Sequence, residues 1–191
     1  AAYSSRLERL ASYLQQLEME SLGKSVNNEG GPLGESHCGP LVWGGRGSDL
    51  QHSVFQWLHQ GLDEAPVDFI AIADHGREDE RVRALNANLA AQGAALTHGR
   101  TGEGELAAHT RIVGGRASAT FVMETLSPET LGALLALHEH KVFVEALFYG
   151  LNPFDQWGVE LGKSLARSIL SGDMAGFDAP ARELTHRLGL D

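Results

Sequence analysis

The sequence predicts a mixed α/β domain in which a parallel sheet is flanked by helices, with further helices at the C-terminal end. The segment VDFIAIAD (67–74) is the clearest strand, and SATFVMET (118–125) is typical of a second one. A polar, alanine-rich helical segment (78–98) lies between them. Strands that alternate with helices pair in parallel, because each helix carries the chain back across the sheet.

The chain opens with a predicted helix over residues 3–20. Leucines recur there at steps of three and four residues, as on one face of a helix; these are Leu7, Leu10, Leu14 and Leu17. A loop rich in Gly, Asn and Ser follows over 23–39. We therefore predict a separate N-terminal helical segment, 1–22, ahead of an α/β domain that spans 38–150.

Two elements are predicted between this loop and the first strand. The segment GPLVWGG (39–45) is typical of a short buried strand that ends on glycines. The segment SDLQHSVFQWLHQG (48–61) is predicted to be one helix that Gly61 ends. Its capping box would consist of Ser48 and, three residues later, Gln51.

The C-terminal half is predicted to be largely helical. A helix begins after Ser127, with Pro128 at its first position, and the segment 127–150 is either one long helix or a helix that runs into a strand at KVFVEALFY. The sheet would then have three or four strands. Two more helices, near 156–170 and 178–188, are predicted in a C-terminal helical segment, 151–191.

Composition limits the possible functions. The 191 residues suffice for one domain with a sizeable core, and the net charge of −10 argues against a nucleic-acid or anionic-membrane partner. No apolar run is long enough to span a membrane. The single Cys38 excludes an internal disulfide framework and favours a reducing, cytoplasmic location. Because the chain starts with Ala1 and a helical pattern follows at once, we expect a processed or truncated chain.

The first candidate site residues lie at the end of the opening helix. Gln16 and Glu20 are four residues apart and share a face, and Ser21 and Gly23 mark the turn that follows. A carboxylate is electrostatically disfavoured at a helix C-terminus, and this suits it to act as a general base. The alternative is a solvated glutamate at a fraying helix end.

A second candidate is His52, which the pattern places in the first turn of the helix capped by Ser48. There the helix dipole favours the neutral imidazole, so this histidine is a plausible proton carrier. The alternative is a structural histidine that is satisfied by a backbone carbonyl.

The third candidate is a polar row in NPFDQWGVELGK (152–163). In a helix that opens at Asp155, the residues Gln156, Glu160 and Lys163 lie on one face. An intrahelical Glu–Lys pair would explain the last two. The glycines at 158 and 162, which are unfavourable inside a helix, favour another interpretation, in which the helix packs closely and presents the row to a cleft.

Three of these segments together resemble the phosphoglucose isomerase family. The segments YLQQLEMESLGKSV (13–26), GPLVWGGRGSDLQHSVFQWLHQG (39–61) and FDQWGVELGK (154–163) are similar to the family's motifs around its catalytic glutamate, its catalytic histidine and its C-terminal signature. The segments DFIAIA and LSPETLGALLALHEHKVFVEALF fall between them in the family's order. The resemblance covers about residues 3–170.

The resemblance implies a sugar-isomerase (SIS) fold with three layers and a metal-free, cofactor-free conversion of glucose 6-phosphate to fructose 6-phosphate. It implies that Glu20 moves a proton between C2 and C1 through a cis-enediol, and that His52 and Lys163 help to open the sugar ring. It implies substrate contacts for Gln16 and Gln156.

The resemblance also implies a homodimer and an N-terminal portion that this chain lacks. That portion would carry the Ser/Thr-rich loop that binds the phosphate and the arginine that supports the enediolate. A non-catalytic SIS-type module that binds a phosphosugar or a partner is the alternative. The joint presence of Glu20, His52 and Lys163 favours the enzyme, since a sensor needs no base.

Overall fold

The computed structural model describes residues 1–34, 39–73 and 79–190. Cys38 and two boundary positions of predicted elements, 74 and 78, lie outside these ranges. The chain divides into two compact units, Ala1–Pro153 and Phe154–Asp191.

The first unit contains the sheet and most of the helices. Its helices are α1 (Leu10–Leu22), α2 (Gly47–Leu50), α3 (Phe55–Gln60), α4 (Glu80–His98), α5 (Ala107–Thr110) and α6 (Pro128–Tyr149), and its strands are β1 (Val67–Ile72) and β2 (Ser118–Met123). The second unit contains a 3-10 turn (Trp157–Val159), α7 (Glu160–Leu170) and α8 (Ala179–Arg187).

The two strands pair in parallel, as predicted. Val67 lies opposite Ser118, and the register continues to Ile72 opposite Met123. The connection between the strands includes α4, which packs against both of them. Ala2 forms a further parallel bridge to Ile70. The predicted α/β class with a parallel sheet and helices is confirmed.

Strand β1 is the centre of the core because its side chains are buried on both faces of the sheet. Phe69 packs in an apolar cluster with residues of α3 and α4, whereas Ile70 packs with Leu10 of α1 and Leu134 of α6. Successive side chains of a strand point to opposite faces, so this one strand connects the two helical groups. The packing of helices on both faces of β1 therefore positions α1 and the turn before α3, which carry candidate site residues.

The predicted strand at 39–45 is wrong. These residues are irregular and run beside α1. A Cβ atom on Gly39 would lie 2.7 Å from the carbonyl carbon of Leu22, so a glycine is needed where the loop passes the end of the helix. Pro40 also lacks the N–H that a ladder requires. In the part of the chain that is described, the sheet therefore has two strands instead of three or four.

The segment after Ser127 is one long helix, and the alternative of a terminal strand is wrong. The Ser127 side chain accepts a hydrogen bond from the Thr130 amide, Pro128 opens the helix, and Gly150 ends it in the left-handed region at φ 67°. The buried residues of α6 recur at every fourth position; they are Leu134, His138, Val142 and Ala146. The buried residues recur with the period of a helix and not with the two-residue period of a strand.

Candidate active site

Glu20 lies in the last turn of α1, as predicted from the sequence. Its side chain is half-buried, whereas that of Gln16, four residues earlier, is exposed. The Nζ atom of Lys24 donates a hydrogen bond to the backbone carbonyl of Glu20 at 3.0 Å, which closes the helix end. The Glu20 carboxylate makes no hydrogen bond within the described ranges, so its oxygens are available to accept a proton.

The predicted setting of His52 is wrong, because residues 48–61 do not form one helix. A turn over 51–54 separates α2 from α3, and His52 lies in this turn with an exposed side chain. The Ser53 hydroxyl bonds to the carbonyls of Asp49 and Leu50 at 3.1 and 3.4 Å, in competition with a continuous helix. His52 therefore follows a four-residue helix and does not lie in the first turn of a long one.

The predicted cap of that helix is also wrong. Helix α2 begins at Gly47, and the residue before it is Arg46, whose side chain pairs with Asp49 at 2.7 Å. The Ser48 hydroxyl bonds to the Asp49 carboxylate at 3.2 Å and caps no amide. The helix therefore begins earlier than the capping-box pattern indicates.

Gln156 and Lys163 lie in the second unit, outside any single helical row. Gln156 precedes the 3-10 turn in a non-helical conformation, and the α-helical part begins only at Glu160. The helix does not open at Asp155. Lys163 pairs with Glu160 at 2.7 Å, and both side chains are about half exposed, 54% and 48%. The intrahelical pair considered as an alternative is thus present.

The two glycines of this segment do not make the predicted close contacts. A Cβ atom on Gly158 or Gly162 would meet no atom within 4 Å among the described residues. Helix α7 has no buried residue. Within residues 154–190, the spacing of the two glycines therefore has no structural explanation.

A charged cluster around the buried Glu18, two residues before Glu20, was not predicted from the sequence. Glu18 of α1 is only 6% exposed, and its carboxylate accepts a hydrogen bond from Lys141 of α6 at 2.9 Å. Lys141 also bonds to Glu145 at 3.4 Å. His138, 1% exposed, approaches Glu18 to 4.0 Å through Nδ1. The cluster thus joins the two helices beside the predicted base.

Electrostatics distinguish the two basic groups of this cluster. Burial opposes the charge of Lys141, but the hydrogen bonds and attraction of Glu18 and Glu145 outweigh it and raise its pKa. Burial lowers the pKa of His138, although the Glu18 and Asp68 carboxylates act in the opposite direction. His138 is therefore neutral near pH 7, and its 4.0 Å approach to Glu18 is neither a salt bridge nor a hydrogen bond.

A sequence signal for this cluster exists. Glu18 continues the apolar four-residue series of α1, which runs Leu10, Leu14, Glu18, Leu22. His138 interrupts the apolar series of α6 in the same way. A charged or polar residue in such a series has to be buried with the rest of the face, so it requires a partner from the packed helix.

The neutral state of His138 makes stability depend on pH. Its folded pKa lies below the ordinary value of 6.5, so the unfolded chain binds more protons as the pH falls through this value. We expect the free energy of unfolding to decrease as the pH falls below 6.5, towards the lower folded pKa. Urea unfolding over this range would measure the decrease, and His138→Leu should reduce it. The exposed His98→Leu variant is the control; an unchanged decrease in His138→Leu would contradict the prediction.

A cavity of about 400 Å³ in the first unit is bordered by two members of this cluster, Glu18 and Lys141. It is lined mainly by apolar residues of α1, β1, α3 and the 39–45 loop, with Glu18, Asp68 and Lys141 as charged members. Gln16, Glu20 and His52 are not part of its lining. The candidate residues therefore do not share this cavity.

Comparison with known proteins shows the family to which the chain belongs. The family model for phosphoglucose isomerase matches residues 1–181. The chain belongs to the phosphoglucose isomerase family. The match extends past residue 170, where the motif resemblance ends, and includes the three segments that carry Glu20, His52 and Lys163.

Individual members of the family are similar over nearly the whole chain. Glucose-6-phosphate isomerase from Novosphingobium aromaticivorans is 48% identical over an alignment of 191 positions, which covers 99% of this chain and 37% of the relative. The enzyme of the same name from Polaromonas naphthalenivorans is 47% identical over 98% of this chain and 36% of its own length. The crystal structure of a glucose-6-phosphate isomerase from Chlamydia trachomatis matches with a TM-score of 0.83 and 38% identity, over 99% of this chain and 37% of that one.

The chain thus spans about 37% of the length of the curated phosphoglucose isomerase relatives that it matches. None of the helices in the described part of the chain is both long and apolar enough to cross a membrane.

Proposed function

We propose that the intact protein containing this chain interconverts glucose 6-phosphate and fructose 6-phosphate, as an aldose–ketose isomerase of glycolysis and gluconeogenesis. The observation that carries the proposal is the family match over residues 1–181, which includes a half-buried glutamate in the last turn of α1. A binding protein would need no base at this position.

In this proposal Glu20 takes the proton from C2 of the aldose and returns it to C1. Proton abstraction next to a carbonyl requires one positioned carboxylate, and an unengaged Glu20 side chain can act in this way. Opening of the sugar ring requires a separate acid and base, for which we assign His52 and Lys163. The exposed positions of both side chains are compatible with contact to a substrate.

The remaining parts of the site are assigned in the same way. Gln16 and Gln156 would hydrogen-bond the sugar hydroxyls. We propose that this chain forms part of an SIS-type three-layer fold. An N-terminal portion of the intact protein would supply the phosphate loop and the arginine that stabilises the enediolate. We also propose that the active protein is a homodimer and that neither a metal ion nor a cofactor takes part.

Exposed apolar side chains support the proposal that more protein covers this chain. Leu137, Val144 and Leu147 of α6 are 50%, 60% and 61% exposed, and in α7 Leu161 and Leu170 are 68% and 77% exposed. Large apolar side chains exposed on each of these helices are typical of a face that another chain or domain covers. The faces would be buried by the N-terminal portion or by the second subunit.

The proposed mechanism can be tested with glucose 6-phosphate and the intact protein in D₂O. A base that holds the proton in a cleft reached by water exchanges part of it with solvent. We therefore expect NMR to show deuterium at C1 of the fructose 6-phosphate product. A product formed without any solvent deuterium would contradict a base that exchanges its proton with solvent, and the absence of product would contradict the isomerase itself.

A further inference from the structure

Glu18 lies two residues before Glu20, is buried, and pairs with Lys141, whose side chain is 40% exposed. We propose that the ion pair between Glu18 and Lys141 is a positioning device that sets the direction of the Glu20 side chain. The inference rests on the proposed function, because it concerns the base of that reaction. Neither residue is itself assigned a contact with the substrate.

The first step of the argument is the geometry of α1. Glu18 and Glu20 are two residues apart, so their side chains are separated by about 200° around the helix axis. Their burial agrees, since Glu18 is 6% exposed and Glu20 is half-buried. When Glu18 is held against α6, Glu20 is therefore directed away from α6.

The second step concerns what fixes the rotation of α1 about its axis. Beyond Glu18, Leu22 packs on Val142 and Ala146 of α6 in an apolar cluster. Such contacts are non-directional and permit small rotations of the helix. The 2.9 Å bond from Lys141 to Glu18 is charge-assisted and directional, so it defines the rotation in the turn that leads to Glu20.

The third step is that Glu18 depends on Lys141 in particular. The neighbouring His138 lies 4.0 Å from the carboxylate and has no hydrogen-bond partner on either ring nitrogen in the described structure. It does not replace the lysine as a donor. Removal of the Lys141 charge would leave a buried carboxylate uncompensated, and such a group reorganises its surroundings.

A second polar link between the same helices provides a matched control. The Tyr13 hydroxyl donates to Glu139 at 3.0 Å, nearer to the start of α1 and at an exposed position. Tyr13→Phe removes a hydrogen bond between α1 and α6 but leaves the turn before Glu20 unchanged. General docking of the two helices can thus be separated from the positioning of the base.

The test uses the intact protein with Lys141→Met, Lys141→Arg, Tyr13→Phe and the double variant Glu18→Gln/Lys141→Met. A small displacement of a catalytic group lowers the reaction rate strongly. We therefore expect Lys141→Met to lower kcat about tenfold and to change KM by less than about twofold. Lys141→Arg should retain most of the kcat. The double variant removes both charges, so its melting temperature should recover while its kcat remains low.

Hydrogen exchange adds a readout that does not require turnover. Backbone amides 19–23 should exchange faster in Lys141→Met than in the wild type, and Tyr13→Phe should leave them unchanged. An unchanged kcat in both Lys141→Met and the double variant would overturn the positioning role, as would an equal loss in Tyr13→Phe. Wild-type protein without isomerase activity would instead refute the proposed function, and the two failures are therefore distinguishable.

Discussion

Replacement of Glu20 by Gln is expected to lower kcat of the intact protein by about 10² to 10⁴-fold, the range that a positioned general base contributes. The amide has the same shape as the carboxylate but cannot accept the proton from C2. Because the side chain is half-buried and in no hydrogen bond within the described part of the chain, the substitution should not disturb α1. We therefore expect KM and stability to change little.

A coupled assay for fructose 6-phosphate conversion would measure this effect. Glu8→Gln makes the same chemical change at an exposed position shortly before α1 and should have wild-type activity. A loss of less than about tenfold in Glu20→Gln would show that another group removes the proton.

Replacement of Phe69 by Ala is expected to destabilise the protein by about 3–5 kcal/mol, the usual cost of removing a buried phenyl ring. Phe69 is completely buried in β1, and its ring centre lies 6.2 Å from those of Tyr3 and Phe55. The cavity would separate β1 from α3 and α4. The short α3 follows the turn that carries His52, so this turn would lose support as well.

Urea unfolding of the variant and the wild type would give the difference in free energy. Leu62→Ala removes a large apolar side chain that is fully exposed in this structure and should change the stability by less than about 0.5 kcal/mol. Equal effects of the two substitutions would mean that Phe69 is not at the centre of the core.

Several elements could be predicted because local chemistry decides them. Residues 67–74 and 118–125 contain β1 and β2, and Ser127 with Pro128 begins α6 as expected from capping preferences. Glu20 lies at the predicted end of α1. In each of these cases the apolar period and the terminal residue favour the same structure.

Other elements could not be predicted because local signals conflict with packing. The apolar residues of 39–45 indicated a strand, but close passage beside the end of α1 keeps this segment irregular. The capping pattern at Ser48 indicated one helix, but Ser53 bonds to the preceding carbonyls, and a turn follows α2. The glycines at 158 and 162 indicated a packed helix, but within the described ranges no atom lies close to either of them.

The sequence by itself determined the α/β class, the main strands and helices, and the family, because these depend on periodicity and on ordered motifs along the chain. Only the tertiary structure decided the surroundings of the candidate base. Glu18 and Lys141 are separated by 123 positions, and α1 and α6 have to pack before their side chains can meet. Because Glu18 is buried, its carboxylate requires the lysine: an unpaired carboxylate in such a position would cost several kcal/mol, on the order of 3–5.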